Sequence, residues 1–185
     1  MQIESMAIPE VKLIRPKFIR DDRGFFVETF RADRLAAAGI DITFVQDNHS
    51  LSAKAGTVRG LHYQTPPRAQ DKLIRCVRGA ILDVAVDVRH GSPTFGRYVM
   101  ERLSADDGLQ LLVPKGFAHG FCTLEPDTEV IYKVSDYYAP DCDSGFIWND
   151  PAVGVPWPVS ADAAILSGKD ARNPPLAELP PSFFY

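Results

Sequence analysis

Short runs of alternating or β-branched residues recur along most of this chain, at 11–19, 24–30, 43–50, 57–63, 72–77, 80–87, 98–103, 110–113, 120–124, 128–134 and 145–149. A strand turns successive side chains to opposite faces, so each such run predicts a strand with at least one face in a core. Gly79, the segments from Gly91 to Pro93 and from Asp106 to Gly108, and Gly116 punctuate the runs at roughly the 8–12-residue spacing of a sandwich or barrel. One segment departs from the pattern: Asp33 is placed to cap a run of helix formers at 34–38, with Gly39 to close it in the left-handed conformation. From Asp150 onward fall seven of the 15 prolines. That density predicts a tail wrapped over the domain, with a helical turn around 162–166, and no second domain. The predicted fold is all-β: about ten antiparallel strands in a jelly roll, with short peripheral helices and an extended C-terminal tail.

At 185 residues the chain fits one domain, 1–185, and with 45% hydrophobic and 24% charged residues it has the apolar surface to build a core. The formal charge of −4 excludes a nucleic-acid binder held by a basic face, though not local basic pockets. The N-terminus MQIESMAIPE lacks a basic stretch followed by an apolar run, and no window reaches the ~18 apolar residues of a membrane span. Neither export nor membrane insertion is expected. Cys76, Cys122 and Cys142 share no CxxC spacing, which predicts reduced thiols in a cytoplasmic protein, the first two as small core residues.

Two segments carry candidate chemistry. Gly56 and His62 fit the frame Gly-x5-His-x-His, but Gln64 replaces the second histidine, and Lys72, followed after six residues by Gly79, stands where a glutamate would. Gly108, Pro114, Gly116 and His119 fit Gly-x5-Pro-x-Gly-x2-His-x3-Asn, with Thr123 in the last place. Both frames resemble those of cupins, double-stranded β-helix barrels whose members often hold a metal. A catalytic metal usually takes three or more nitrogen, oxygen or sulfur ligands. Here only His62 and His119 remain, and a cation occupies the carboxylate position, so a metal is disfavoured and no cofactor is expected. Without a metal, an inward histidine is a candidate general base and an inward lysine a candidate oxyanion partner. Taken singly, each reads more simply as a core histidine or a surface charge; in matched positions of one barrel they read as a site.

The blocks at 21–28 (DDRGFFVE), 46–50 (QDNHS), 56–64 (GTVRGLHYQ), 72–75 (KLIR), 113–121 (VPKGFAHGF), 132–134 (YKV) and 148–151 (WNDP) resemble the dTDP-4-dehydrorhamnose 3,5-epimerase family. The resemblance covers the chain from about residue 10 to about residue 170. It implies a metal-free, cupin-like homodimer that exchanges N-terminal strands and acts on dTDP-4-dehydro-6-deoxy-D-glucose, on the route to dTDP-L-rhamnose. A ketone at carbon 4 acidifies the hydrogens on carbons 3 and 5, because the carbanion delocalises onto oxygen as an enolate. Such chemistry needs a base on one face, an acid on the other and a cation at the oxygen. By the resemblance His62 is the base, Tyr132 the acid and Lys72 the partner of the enolate oxygen. Asp170 is the carboxylate that fixes the His62 tautomer, with Asp83 in reserve. Arg23, Arg59 and His119 would contact the diphosphate or sugar, and Glu28, Gln46 and Asn48 the deoxyribose and thymine. Tyr138 would stack on the base, with Phe26 or Tyr137 as alternatives. Asp143 and Lys169 are further binding candidates by charge.

Three other classes remain in view: a relative that inverts only carbon 3 or carbon 5, a non-catalytic sugar-binding cupin, and a metal-dependent cupin. The non-catalytic reading requires that His62 and Tyr132 do not share a cavity.

Overall fold

The computed structural model describes residues 1–185. In chain order its strands are β1 (Gln2–Ser5), β2 (Lys12–Arg15), β3 (Phe18–Asp21), β4 (Gly24–Val27), β5 (Gln46–Ser52), β6 (Val58–Gln64), β7 (Lys72–Arg78) and β8 (Ala80–Asp87). There follow β9 (Arg89–His90), β10 (Tyr98–Ser104), β11 (Gln110–Val113), β12 (Phe117–Thr123), β13 (Thr128–Val134), β14 (Asp143–Gly145) and β15 (Phe183–Phe184). A six-stranded sheet in the order β1-β2-β11-β7-β13-β5 faces a five-stranded sheet in the order β10-β8-β12-β6-β14, and every pairing within them is antiparallel. Side chains of both sheets meet in one core, with Leu13, Ile74, Leu111 and Val130 from the first and Ile81, Val99, Leu103 and Phe117 from the second. This is the expected all-β jelly roll.

Alternation explains which side chains reach that interior. On β8, Ile81, Asp83 and Ala85 share one face with the core, while Val84 and Val86 belong to a second cluster with Leu61, Tyr63, Phe146 and the tail residue Leu176. The five-stranded sheet is therefore covered on both faces, on its outer side by the tail. Burying Leu176, 7% exposed, contributes roughly 2 kcal/mol to holding the tail there. Downstream, Phe183 and Phe184 add a parallel strand to Arg89 and His90. The outer face of the six-stranded sheet is covered by α1 (Ala32–Ala37) and the chain after it, through Leu35, Ile40 and Phe44 against Ile14, Leu73 and Leu112.

Several expectations need correction. The run 11–19 is two strands, because Pro16 supplies no N–H and the chain turns there out of the large sheet. The run 145–149 is strand only to Gly145; Phe146 still exchanges main-chain hydrogen bonds with Leu61 of β6, and Ile147 then donates to Pro174 O in the tail. Strand β1 had no signal in the alternation, since it is a mostly exposed edge. The helix begins two residues earlier than expected: Arg31 holds the N-cap position, and Asp33 lies in the first turn, paired with Arg31. Gly39 does close it at φ +77°, with its N–H on Ala36 O and that of Ile40 on Leu35 O. Around 162–166 only a turn forms, after which Ile165 bridges Thr57.

Candidate active site

The site is built where β6 and β12 run closest together. Gly60 has φ +128°, and a Cβ there would stand 2.5 Å from Gly120 Cα; one on Gly120 would stand 2.8 Å from Arg59 O. Only glycines allow this approach. Next to it, His62 and His119 are register partners, and a bulge follows His119.

His62, Tyr132 and Lys72 line a cavity of about 430 Å³ together with Arg59, His119, Asp170 and Lys169. His62 enters from the five-stranded sheet, and Tyr132 and Lys72 from the six-stranded one. A smaller hollow of about 160 Å³ shares His62, Lys72 and Tyr132 and adds Gln46, Asn48, Tyr138 and Asp143. The three shared residues therefore stand at the junction of two lobes.

Each histidine has its own carboxylate. His62 Nε2 lies 2.6 Å from Asp170 Oδ1, and His119 Nε2 lies 2.7 Å from Asp83 Oδ1. Burial by itself raises the pKa of Asp170, but the hydrogen bond and charge of His62, with Ser167 and the Gly60 main chain, hold it below the usual carboxylate range. An ionised carboxylate only accepts, so His62 donates from Nε2, which in the neutral imidazole leaves the lone pair on Nδ1. Asp83, the reserve partner of His62, serves His119 instead: it sits opposite Phe121 on β12, the strand between β8 and β6.

Lys72, buried at the start of β7, donates from Nζ to the His62 carbonyl oxygen at 3.1 Å. Burial lowers its pKa to about 8, against the opposing charges of Asp143 and Asp83. For Tyr132 burial works the other way and raises the pKa, with Arg59 a weaker opposing influence, so the phenol holds its proton through the neutral range. Gln64 is occupied by main chain, donating to Arg68 O and Tyr137 O and accepting from Ala139 N–H. It anchors the loop that presents Tyr138. Asp143 joins Tyr138 to Lys169, accepting from both across the two lobes.

Of the residues singled out in the sequence, Arg23, Phe26 and Glu28 lie outside both lobes. Arg23 pairs with Asp21 in its own hairpin at 2.6 Å, Phe26 is 63% exposed, and Glu28 pairs with Arg31. Ser167 was missed: its Oγ accepts the Asp170 N–H at 3.1 Å. Its only signal was a serine three residues before the aspartate.

With a proton-carrying phenol, a carboxylate-bound imidazole and a buried ammonium around one cavity, this is a cupin-like barrel equipped to remove and return protons at a carbon acid. Comparison with known proteins narrows the class. The family model described as dTDP-4-dehydrorhamnose 3,5-epimerase matches residues 5–178. An enzyme of that name from Sinorhizobium fredii is 54% identical over 185 residues, covering 100% of this chain and 94% of its own. The crystal structure of the Bacillus anthracis enzyme, with TDP and PPi bound, is 52% identical with a TM-score of 0.91 over 94% of this chain and 98% of its own. A dTDP-6-deoxy-D-glucose-3,5-epimerase from Legionella pneumophila in complex with dTDP-4-keto-L-rhamnose is 42% identical with a TM-score of 0.94 over 100% and 98%. This chain belongs to the dTDP-4-dehydrorhamnose 3,5-epimerase family, and it is a carbohydrate epimerase.

Proposed function

We propose that His62 is the base and Tyr132 the acid that invert carbons 3 and 5 of dTDP-4-dehydro-6-deoxy-D-glucose, giving dTDP-4-dehydro-β-L-rhamnose. The observation that carries this reading is that the two side chains enter one cavity from opposite sheets, with Lys72 beside them. His62 takes the proton from carbon 3 or 5, the electron pair moves onto the carbon 4 oxygen, and Lys72 receives the charge. Tyr132 then delivers a proton to the other face. Each proton transfer contributes about 10²- to 10⁴-fold. Arg59, His119 and Lys169 supply positive charge or donors for the diphosphate, and Tyr138 in the smaller lobe offers a ring to the thymine. Incubation with this substrate in deuterated water is the test, and deuterium is expected at both carbons. Label at one carbon identifies a mono-epimerase; label at neither refutes an enzyme of this kind.

The same reading makes the protein a homodimer. Strands β3 and β4 pair only with each other and carry exposed Ile19, Phe25 and Phe26. A second copy reaching over with this hairpin would bring Arg23 and Phe26 to a cavity that the chain's own hairpin does not serve. Mixing inactive Arg23→Ala and His62→Ala proteins should then restore turnover, because each mixed dimer holds one intact site. No recovery would refute the exchange. With Cys76, Cys122 and Cys142 all unpaired, the chain suits a reducing compartment, and we place it in the cytoplasm.

A further inference from the structure

The block Trp148-Asn149-Asp150-Pro151 has no part in the reaction as described, yet Asp150 is as buried as Asp170, each 3% exposed. No cation accompanies it. Its carboxylate is taken up by main chain, Oδ1 accepting from the Ala152 N–H at 2.8 Å and Oδ2 from the Leu176 N–H at 2.7 Å. A buried carboxylate is costly to desolvate. Asp150 is held where the only return is a fixed path for the main chain.

That path is the one that delivers Asp170. Ile147 donates its N–H to Pro174 O at 2.9 Å, so this stretch grips the tail at 174 and again at 176, just beyond the dyad carboxylate. Upstream, the tail is held at Ile165, which exchanges main-chain hydrogen bonds with Gly56 and Val58. The gripping stretch is itself bound to the strand that carries the histidine. Gly145 is the register partner of His62, and Phe146 and Leu61 exchange main-chain hydrogen bonds at 3.1 and 3.4 Å. One short segment thus locates both halves of the dyad, His62 through β6 and Asp170 through the tail.

We infer that Asp150 is a positioning residue for the His62–Asp170 pair, acting through the Leu176 main chain to hold the tail where Asp170 meets the imidazole. The inference rests on the reading of Asp170 as the carboxylate that orients His62. Misplacing a catalytic group by about an ångström costs up to about 10²-fold in rate. With the Pro174 contact intact, Asp150→Ala should lower kcat by at least about tenfold while KM changes less. The His62 ring N–H proton resonance, shifted downfield by the carboxylate, should move upfield or broaden. Asp150→Asn keeps an oxygen for the Leu176 N–H and should recover most of the rate. Asp170→Ala should be slow in its own right, and the double variant Asp150→Ala/Asp170→Ala no slower, because the role of Asp150 has gone. Should the alanine variant fail to fold, the same cycle is run with Asp150→Ser, whose hydroxyl can still accept from the Ala152 N–H but is too short to reach that of Leu176 as well. Parent kcat in folded Asp150→Ala overturns the inference, as does a double variant slower than Asp170→Ala by the full Asp150→Ala factor. Parent kcat in Asp170→Ala overturns the reading beneath it instead.

Discussion

Lys72 should impose an alkaline limit on the reaction. The residue is 8% exposed, and burial brings the ammonium's pKa down to about 8 from the 10.5 of an exposed lysine, although Asp143 and Asp83 pull the other way. Below that pH the group is charged and can receive the negative charge of the enolate; above it the charge is lost. The pH profile of kcat/KM, which reports the free enzyme, should therefore fall about tenfold per unit above about pH 8. At pH 9 about a tenth of the molecules keep the charge. Tyr132 does not supply this limb, since burial raises its pKa above the ordinary 10. Stability moves in the opposite sense. The folded pKa of Lys72 lies below the unfolded one, so between about pH 8 and 10.5 the unfolded chain binds the extra proton, and the fold gains roughly 3 kcal/mol across that window. Rate measurements over the profile, beside denaturant midpoints at the same pH values, read both effects. Lys72→Met should lose about 10²- to 10³-fold in kcat and should lose the alkaline limb. A limb that persists unchanged in Lys72→Met, or is missing from the parent enzyme, refutes the assignment.

His62→Ala should abolish solvent exchange at both carbons while the circular dichroism stays that of the parent; exchange at carbon 5 near the parent rate would reassign the base. Tyr132→Phe should still wash deuterium into the substrate but yield little epimer, because His62 returns the proton to the face it came from. Equal loss of exchange and epimerisation would instead make Tyr132 a binding or enolate-stabilising group. Activity should survive exhaustive chelation, since His62 and His119 are each bound to a carboxylate and Gln64 to main chain; loss with EDTA and rescue by one metal would contradict this.

Most of the barrel was legible because a strand covered on one face alternates with period two, as in β5 and β13, while one covered on both, as β8 is, reads as a short apolar run. The errors fall where other forces decide. Pro16 divided one apolar run into two strands with different destinations, and after Gly145 only Phe146 keeps its bonds to β6 before Ile147 turns to the tail. At the site, His62 and His119 were readable from the cupin spacing alone. Asp170 was not: it comes from a segment without periodicity, and only the family resemblance pointed to it. Asp83 was held in reserve for His62 and serves His119 instead, because periodicity fixes the face of a strand and not its neighbours. Nothing short of strand order shows that β12 comes between Asp83 and His62. Arg23, Phe26 and Glu28 were chosen by resemblance, and no local pattern says how far their hairpin stands from the cavity.

His62 and Asp170 stand 108 positions apart in the chain. During synthesis, which releases the N-terminal part first, β6 and most of its sheet partners emerge well before the carboxylate. A product cut short of Asp170 carries every barrel strand from β1 to β14, along with His62, Lys72 and Tyr132, but no carboxylate for the base. On the reading of Asp170 as the carboxylate of the base, proton abstraction therefore waits until translation has passed Asp170, and a chain terminated before it that collapses into a barrel remains a poor catalyst.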